Sequence, residues 1–197
     1  LSRKSGACHC GDNLEVTVAG MIKQLASKTV YQNPWMKVVE DTVEFENGHT
    51  GIYGVVKKDD FVLIIPFDGE KFYLVEQYRY PIQQYSLEFP QGKHEEKENE
   101  SAEVVAQAEL LEETGLTSAK FSQVGFLYDA SGYSNQGFHI YLAEALEQHT
   151  QQLDRTEAGL VVKTLTQAEL EEKIVLGKIT DAPTISAYCL FKLQYSK

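Results

Sequence analysis

Between residues 95 and 113 the chain carries eight glutamates, at 95, 96, 98, 100, 103, 109, 112 and 113, against a single lysine, Lys97. On a helix of about 3.6 residues per turn, Glu109, Glu112 and Glu113 fall on one stripe within a single turn. Carboxylates this close repel one another and resist ionising together unless a cation sits between them. Hard oxygen donors in an open cluster suit Mg²⁺ or Mn²⁺, which keep part of their water shell and share the remaining positions with phosphate oxygens. A helix shaped only for solubility would interleave lysines at i,i+4; this one does not. Val104, Ala108 and Leu111 project opposite the glutamates, so the helix is expected to bury that apolar stripe and present carboxylates from the other side. For a generic Glu-rich helix a solvated acidic face would be the simpler reading. Here the flanking residues decide.

The elements that must position this helix can be read on either side of it. Lys37–Glu46 alternates, Asn47-Gly48 supplies hairpin chemistry, and Gly51–Lys57 returns as a second strand. Phe61–Phe67 is a continuous apolar run, the pattern of a strand buried on both faces. Asp68-Gly69 reads as a second hairpin turn into Lys71–Tyr78, and Pro81 and Pro90 bracket a short segment containing Glu88. A helix over 101–114 closes at Gly115, and strands follow near 121–128, 137–146 and 159–165. Thr166 to Glu169 forms a capping box for a helix ending at Gly177, and a last helix covers 183–194 with Pro183 in its first turn. Strands interleaved with three helices imply a mixed sheet between helices.

Composition bounds the function. The 18 Lys+Arg and 29 Asp+Glu leave a net charge of −11, which argues against a protein that grips nucleic acid by neutralising phosphates. No stretch approaches the ~18 apolar residues of a membrane helix. The three cysteines, Cys8, Cys10 and Cys189, form no disulfide framework, and Cys8-His9-Cys10 lacks a second pair to complete a zinc site, so a reduced, cytoplasmic setting is expected. Residues 1–20 show no period and no signal-peptide pattern and read as a peripheral extension or tag remnant, with Met21 a possible native start. The expected organisation is 1–20 peripheral, 21–58 strands, and 59–197 the main domain.

Ala108-Glu109-Leu110-Leu111-Glu112-Glu113-Thr114-Gly115-Leu116, with Gly92 opening the motif and Glu100 (two residues beyond the usual spacing) or Glu98 (at the usual spacing, with a later insertion) as its spaced glutamate, resembles the Nudix box. The resemblance extends to Glu76–Pro81, Glu88–Gly92, Leu127–Gly132 and Asp181–Thr184, covering most of the chain from about residue 30. It is similar to the ADP-ribose pyrophosphatase branch, which acts on nucleoside diphosphate sugars. Ala108 stands where the box has arginine, and Ser131 falls near the proline usual in ADP-ribose hydrolases.

What the resemblance implies is an α+β fold of the Nudix type: an α/β/α sandwich with a mixed sheet, plus N-terminal antiparallel strands used in dimerisation. It implies Mg²⁺-dependent hydrolysis of a nucleoside diphosphate sugar to nucleoside monophosphate and sugar phosphate, with Mn²⁺ as a possible substitute. Glu109, Glu112 and Glu113 would ligate the metal together with the backbone carbonyl of Gln91. Glu112 and Glu157 would serve catalysis, with Asp154 an alternative to Glu157 on the same loop. Arg79, Glu88 and Ser131 would contact substrate, although Arg79 and Glu88 read equally as charge-pair partners and Ser131 as part of a turn. Two other readings stand beside this one. One is hydrolysis of a damaged nucleoside triphosphate or dinucleoside polyphosphate; the other is a module that binds a nucleotide sugar without cleaving it.

Overall fold

The computed structural model describes residues 22–93, 100–153 and 159–195. Its strands are β1 (Lys23–Gln32), β2 (Lys37–Glu44), β3 (Thr50–Lys57), β4 (Phe61–Pro66), β5 (Lys71–Arg79), β6 (Gln84–Glu88), β7 (Gln91–Gly92), β8 (Leu116–Tyr128), β9 (Gly137–Gln148) and β10 (Val161–Thr166). The helices are α1 (Ala102–Thr114), α2 (Gln167–Val175) and α3 (Ala182–Tyr195). They form the expected α+β architecture: a mixed four-stranded sheet in the order β7-β4-β9-β8 and two antiparallel sheets, β10-β5-β6 and β1-β2-β3.

β4 is the hub. Its apolar run has no polar face, and it is buried on both sides as that pattern requires. Leu63 and Ile65 enter a core with Phe72, Leu74, Phe138, Ile140 and Phe191, reaching β5 and α3. Val62 and Ile64 enter a second core with Ala106, Leu110 and Tyr141, under α1. β4 runs parallel to β9 on one edge and antiparallel to β7 on the other.

Those two neighbours overturn one expectation. The Asp68-Gly69 turn is tight, with Asp68 Oδ1 accepting from the backbone N–H of Glu70 at 2.9 Å and of Lys71 at 2.7 Å. It does not make a hairpin, because both edges of β4 are already paired. The chain instead crosses to another sheet, and only Phe67 and Phe72 bridge the turn.

Local chemistry sets the helix ends. Ser101 caps α1 by accepting from Val104 N–H. Gly115 closes it at φ +71°, and a side chain there would strike the carbonyl of His149 at 2.6 Å. Thr166 and Glu169 form the expected reciprocal capping box of α2.

The N-terminal sheet is clasped to the rest. Val56 N–H donates to the Tyr133 carbonyl at 2.8 Å, and the Asn135 amide side chain both donates to and accepts from the Lys58 backbone at 3.0 Å. Asp60 Oδ1 accepts from Gly137 N–H at 2.8 Å. β2 buries Val39, Asp41 and Val43 with period two, whereas every residue of β1 is exposed. A strand without a buried face has no alternation to read, which is why periodicity points to the hairpin from Lys37 onward and passes over 23–32.

Candidate active site

The glutamate helix does not face solvent. Glu109 and Glu113 are buried, and Val104, expected on the apolar stripe, is 47% exposed. The stripe is rotated from the projected one: Ala106 and Leu110 meet β4 from above, and the carboxylates at its margin come down on β7. Glu113 Oε2 accepts from the Gln91 N–H at 3.0 Å. Glu109 lies so close over Gly92 that a Cβ at that position would stand 2.4 Å from Oε2. Any larger residue there would require the carboxylate to move.

The donor set fits a hard divalent cation. Two carboxylates converge on one short strand, and beside them Gln91 Oε1 is buried with no hydrogen-bond donor. Glu112, half-buried, sits on the same last turn. Among the described residues no three carboxylate, imidazole or thiol side chains already form a cage.

Arg79 and Glu88 face this cluster from β5 and β6. The Arg79 Nε donates to both Glu88 oxygens, at 3.0 and 3.1 Å, and its terminal nitrogen closes a second contact with Oε2. Gln91 Nε2 donates to the same carboxylate at 2.7 Å. Burial works against the Glu88 charge, yet the hydrogen bonds and charge of Arg79, with Ser86 and Gln91, hold its carboxyl below the usual 4.5. Burial likewise opposes the guanidinium charge, and Glu88, then Glu113 and Asp181, outweigh it. The ion pair anticipated as the plainer alternative is thus real. It is no loose surface contact but a bidentate pair with one buried partner.

A further carboxyl, Asp181, joins from the loop before α3. Asp181 is pushed above its ordinary value, first by burial and then by the Glu88 charge, against the hydrogen bonds it receives from Thr184. Thr184 N–H donates to Asp181 at 2.9 Å, and Thr184 Oγ1 accepts from Phe89 N–H at 2.9 Å. This relay holds the β6–β7 connection against the start of α3.

Arg79, Glu88, Asp181 and the strand on which the box glutamates rest line a cleft of about 900 Å³, within the span of small-molecule sites. Arg79, Glu88, Gln91 and Gly92 form one part of its wall; Trp35, Lys58, Lys93 and Tyr133 contribute others. Trp35 and Lys58 come from the N-terminal sheet and escape sequence reasoning, because neither sits in a pattern that marks a site. Ser131 does not line the cleft. It is exposed on the tip of its turn, and Tyr133 and Gln136 of the same segment face inward in its place. Asp154 and Glu157 lie outside the described residues. The segment leading to them is anchored on the glutamate helix: Gln151 Nε2 donates to the Glu113 carbonyl at 2.5 Å and Gln152 N–H to that of Glu112 at 3.1 Å.

Comparison with known proteins agrees with this geometry. Residues 22–56 match the model of the nucleoside diphosphate sugar hydrolase N-terminal domain, and residues 57–182 that of the NUDIX domain. The ADP-ribose pyrophosphatase of Bacillus subtilis (strain 168) is 30% identical over 176 residues, spanning 87% of this chain and 92% of that protein. The methanol dehydrogenase activator of Bacillus methanolicus is 30% identical over 175 residues, spanning 87% and 93%. A crystal structure of an ADP compounds hydrolase superposes with a TM-score of 0.77 at 22% identity, covering 90% of this chain and 97% of that one, and shows the shared fold. With the box glutamates seated on the short strand that ends at the motif glycine, the chain belongs to the Nudix family, in its ADP-ribose pyrophosphatase-like branch, and is a Nudix pyrophosphohydrolase.

Proposed function

We propose that the protein hydrolyses the diphosphate bond of a nucleoside diphosphate sugar, giving a nucleoside monophosphate and a sugar phosphate. The observation that carries this reading is the seating of Glu109 and Glu113 on Gln91-Gly92, a strand that lines the cleft together with Arg79. Glu109, Glu113 and the Gln91 carbonyl, with Glu112 beside them, would hold Mg²⁺. Bound there, a divalent cation supplies neutralisation of the diphosphate oxygens and a water of lowered pKa. The chain's own residues do the rest. Lys58 and Lys93 bring positive charge to the cleft wall, where an anionic substrate needs it. Arg79 holds Glu88 ionised and lines the cleft, where its guanidinium would offer a donor to a diphosphate oxygen. The Asp181–Thr184–Phe89 relay fixes the strand on which the glutamates rest. The proton acceptor for water is assigned to Glu112 or to the loop carboxylate Glu157.

The test is a panel of ADP-ribose, GDP-mannose and UDP-glucose with Mg²⁺. We expect at least one to yield a nucleoside monophosphate and a sugar phosphate, and chelation of the metal to stop turnover. Release of pyrophosphate from nucleoside triphosphates, with the sugars inert, would favour the rival hydrolase. Saturable binding without turnover would favour the non-catalytic module.

We also propose a homodimer built through the N-terminal sheet. Among the described residues one edge of β1 is unpaired; β1 exposes Leu25, Val30 and Tyr31, and β3 exposes Ile52. A second copy would cover these surfaces. Light scattering is expected to give about twice the 22.2 kDa of one chain; a single-chain mass would overturn the assembly.

A further inference from the structure

Beyond Trp35 the cleft opens into a second hollow, of about 290 Å³, which shares Trp35, Lys58 and Asp59 with it. Lys37 and Lys57 stand on its wall as register partners across β2 and β3. Like charges directly opposite one another weaken strand pairing. Neither lysine, nor Lys58, makes an ion pair with any described residue. Asp59, the acid on this wall, is engaged by Lys93. The chain has 29 acidic residues and a net charge of −11, so carboxylates are plentiful, yet among the described residues Asp59 is the one acid on this wall.

The hollow is also firmly shaped. Asn33 Oδ1 accepts from the Trp35 N–H at 2.9 Å and the Met36 N–H at 2.8 Å, fixing the β1–β2 turn. Asn135 holds the Lys58 backbone from the other side with two hydrogen bonds of 3.0 Å. Three lysines that make no ion pair among the described residues, around a concavity held by these hydrogen bonds, favour one kind of occupant: an anion.

We propose that this hollow is an anion subsite continuous with the cleft, taking a phosphomonoester carried by the substrate on the side away from Glu109 and Glu113. The placement on the substrate rests on the nucleotide reading of the cleft; the affinity of the hollow for phosphate does not.

Two measurements separate these. In the first, inorganic phosphate is titrated at low salt while the backbone amides of Asn33, Lys37 and Lys57 are followed by NMR. Saturable shifts are expected, absent in the double variant Lys37→Gln, Lys57→Gln; no saturable shift would overturn the subsite. In the second, calorimetry in metal-free buffer compares adenosine 5′-monophosphate with the same nucleotide phosphorylated on its ribose 2′-hydroxyl. The doubly phosphorylated form is expected to bind about fivefold more tightly, with the ratio falling toward one in the double variant and as salt rises. A ratio near one in the wild type would overturn the proposal while leaving the nucleotide reading intact. Phosphate shifts without binding of either nucleotide would overturn the placement and point to failure of the nucleotide reading itself. Lys57→Gln alone is expected to melt no lower than wild type, since it removes a like-charge contact, so loss of binding cannot be put down to unfolding.

Discussion

Glu113→Gln is expected to lower kcat with Mg²⁺ by about a thousandfold, the upper scale for removing one preorganised electrostatic contact to a transition state. The melting temperature should move little. The glutamine keeps an oxygen in the place of the one that accepts the Gln91 N–H at 3.0 Å, and it fills the same buried volume. What it removes is the negative charge on which a divalent ion depends. Mg²⁺ affinity, followed by calorimetry on the same preparation, should fall together with turnover. Turnover within tenfold of wild type would remove Glu113 from the metal site, and with it the central element of the proposed mechanism.

Arg79→Met should act on stability as strongly as on activity. It strips the bidentate partner from a carboxylate that is only 2% exposed, leaving a buried charge held by Gln91 and Ser86. Breaking a buried pair from one side costs about 3–5 kcal/mol. Because the Arg79 side chain is itself 38% exposed, the low end, about 3 kcal/mol, is expected, or roughly 6–12 °C in Tm for a domain of this size. The pH dependence gives the sign. The folded-state pKa of Glu88 lies below its ordinary 4.5, so the pair's contribution is fully present above that value and is lost as pH falls through the lower, folded one. In the variant the opposing burial is unrelieved, and Glu88 should take up its proton at a higher pH than in the wild type. The stability gap between the two proteins should therefore be wide at neutral pH and narrow progressively in acid. A gap that stays constant between pH 7 and pH 4 would mean that the loss comes from packing and not from charge.

Much of the main domain was legible because its signals are local and redundant. Gly115, the Thr166–Glu169 capping box and the unbroken apolar run at 61–66 each encode an element in a few residues, and each appears where its chemistry requires. Glu109 and Glu113 were legible as a pair from their spacing, but their surroundings were not. Helical projection places them opposite Val104, whereas the helix has to satisfy β4 and β7 together, and that rotates the carboxylates inward. The same kind of long-range constraint explains the turn at Asp68-Gly69. A turn motif specifies a reversal of direction, while the sheet to which the next strand is added depends on which edges remain open. Trp35 and Lys58 reach the cleft only because Asn135 and Asp60 clasp two segments about 77 positions apart. No nearby residue announces such a contact. The resemblance of the box to a known family supplied what spacing alone could not, namely that Gly92 and the helix belong to one site.

β4 carries a further consequence. One face of this strand fills the space beneath α3, the other supports α1, and the edge away from β9 holds Gln91 and Gly92 in register with Leu63 and Val62. The scaffold and the platform for chemistry are therefore one pleat. A methyl group lost at Ile64 would not stay a private matter of the interior, since the gap would be transmitted to the glutamates resting on the next strand. Evolution has little freedom to tune robustness and turnover separately along these six positions, and divergence among relatives should gather on the peripheral sheet instead.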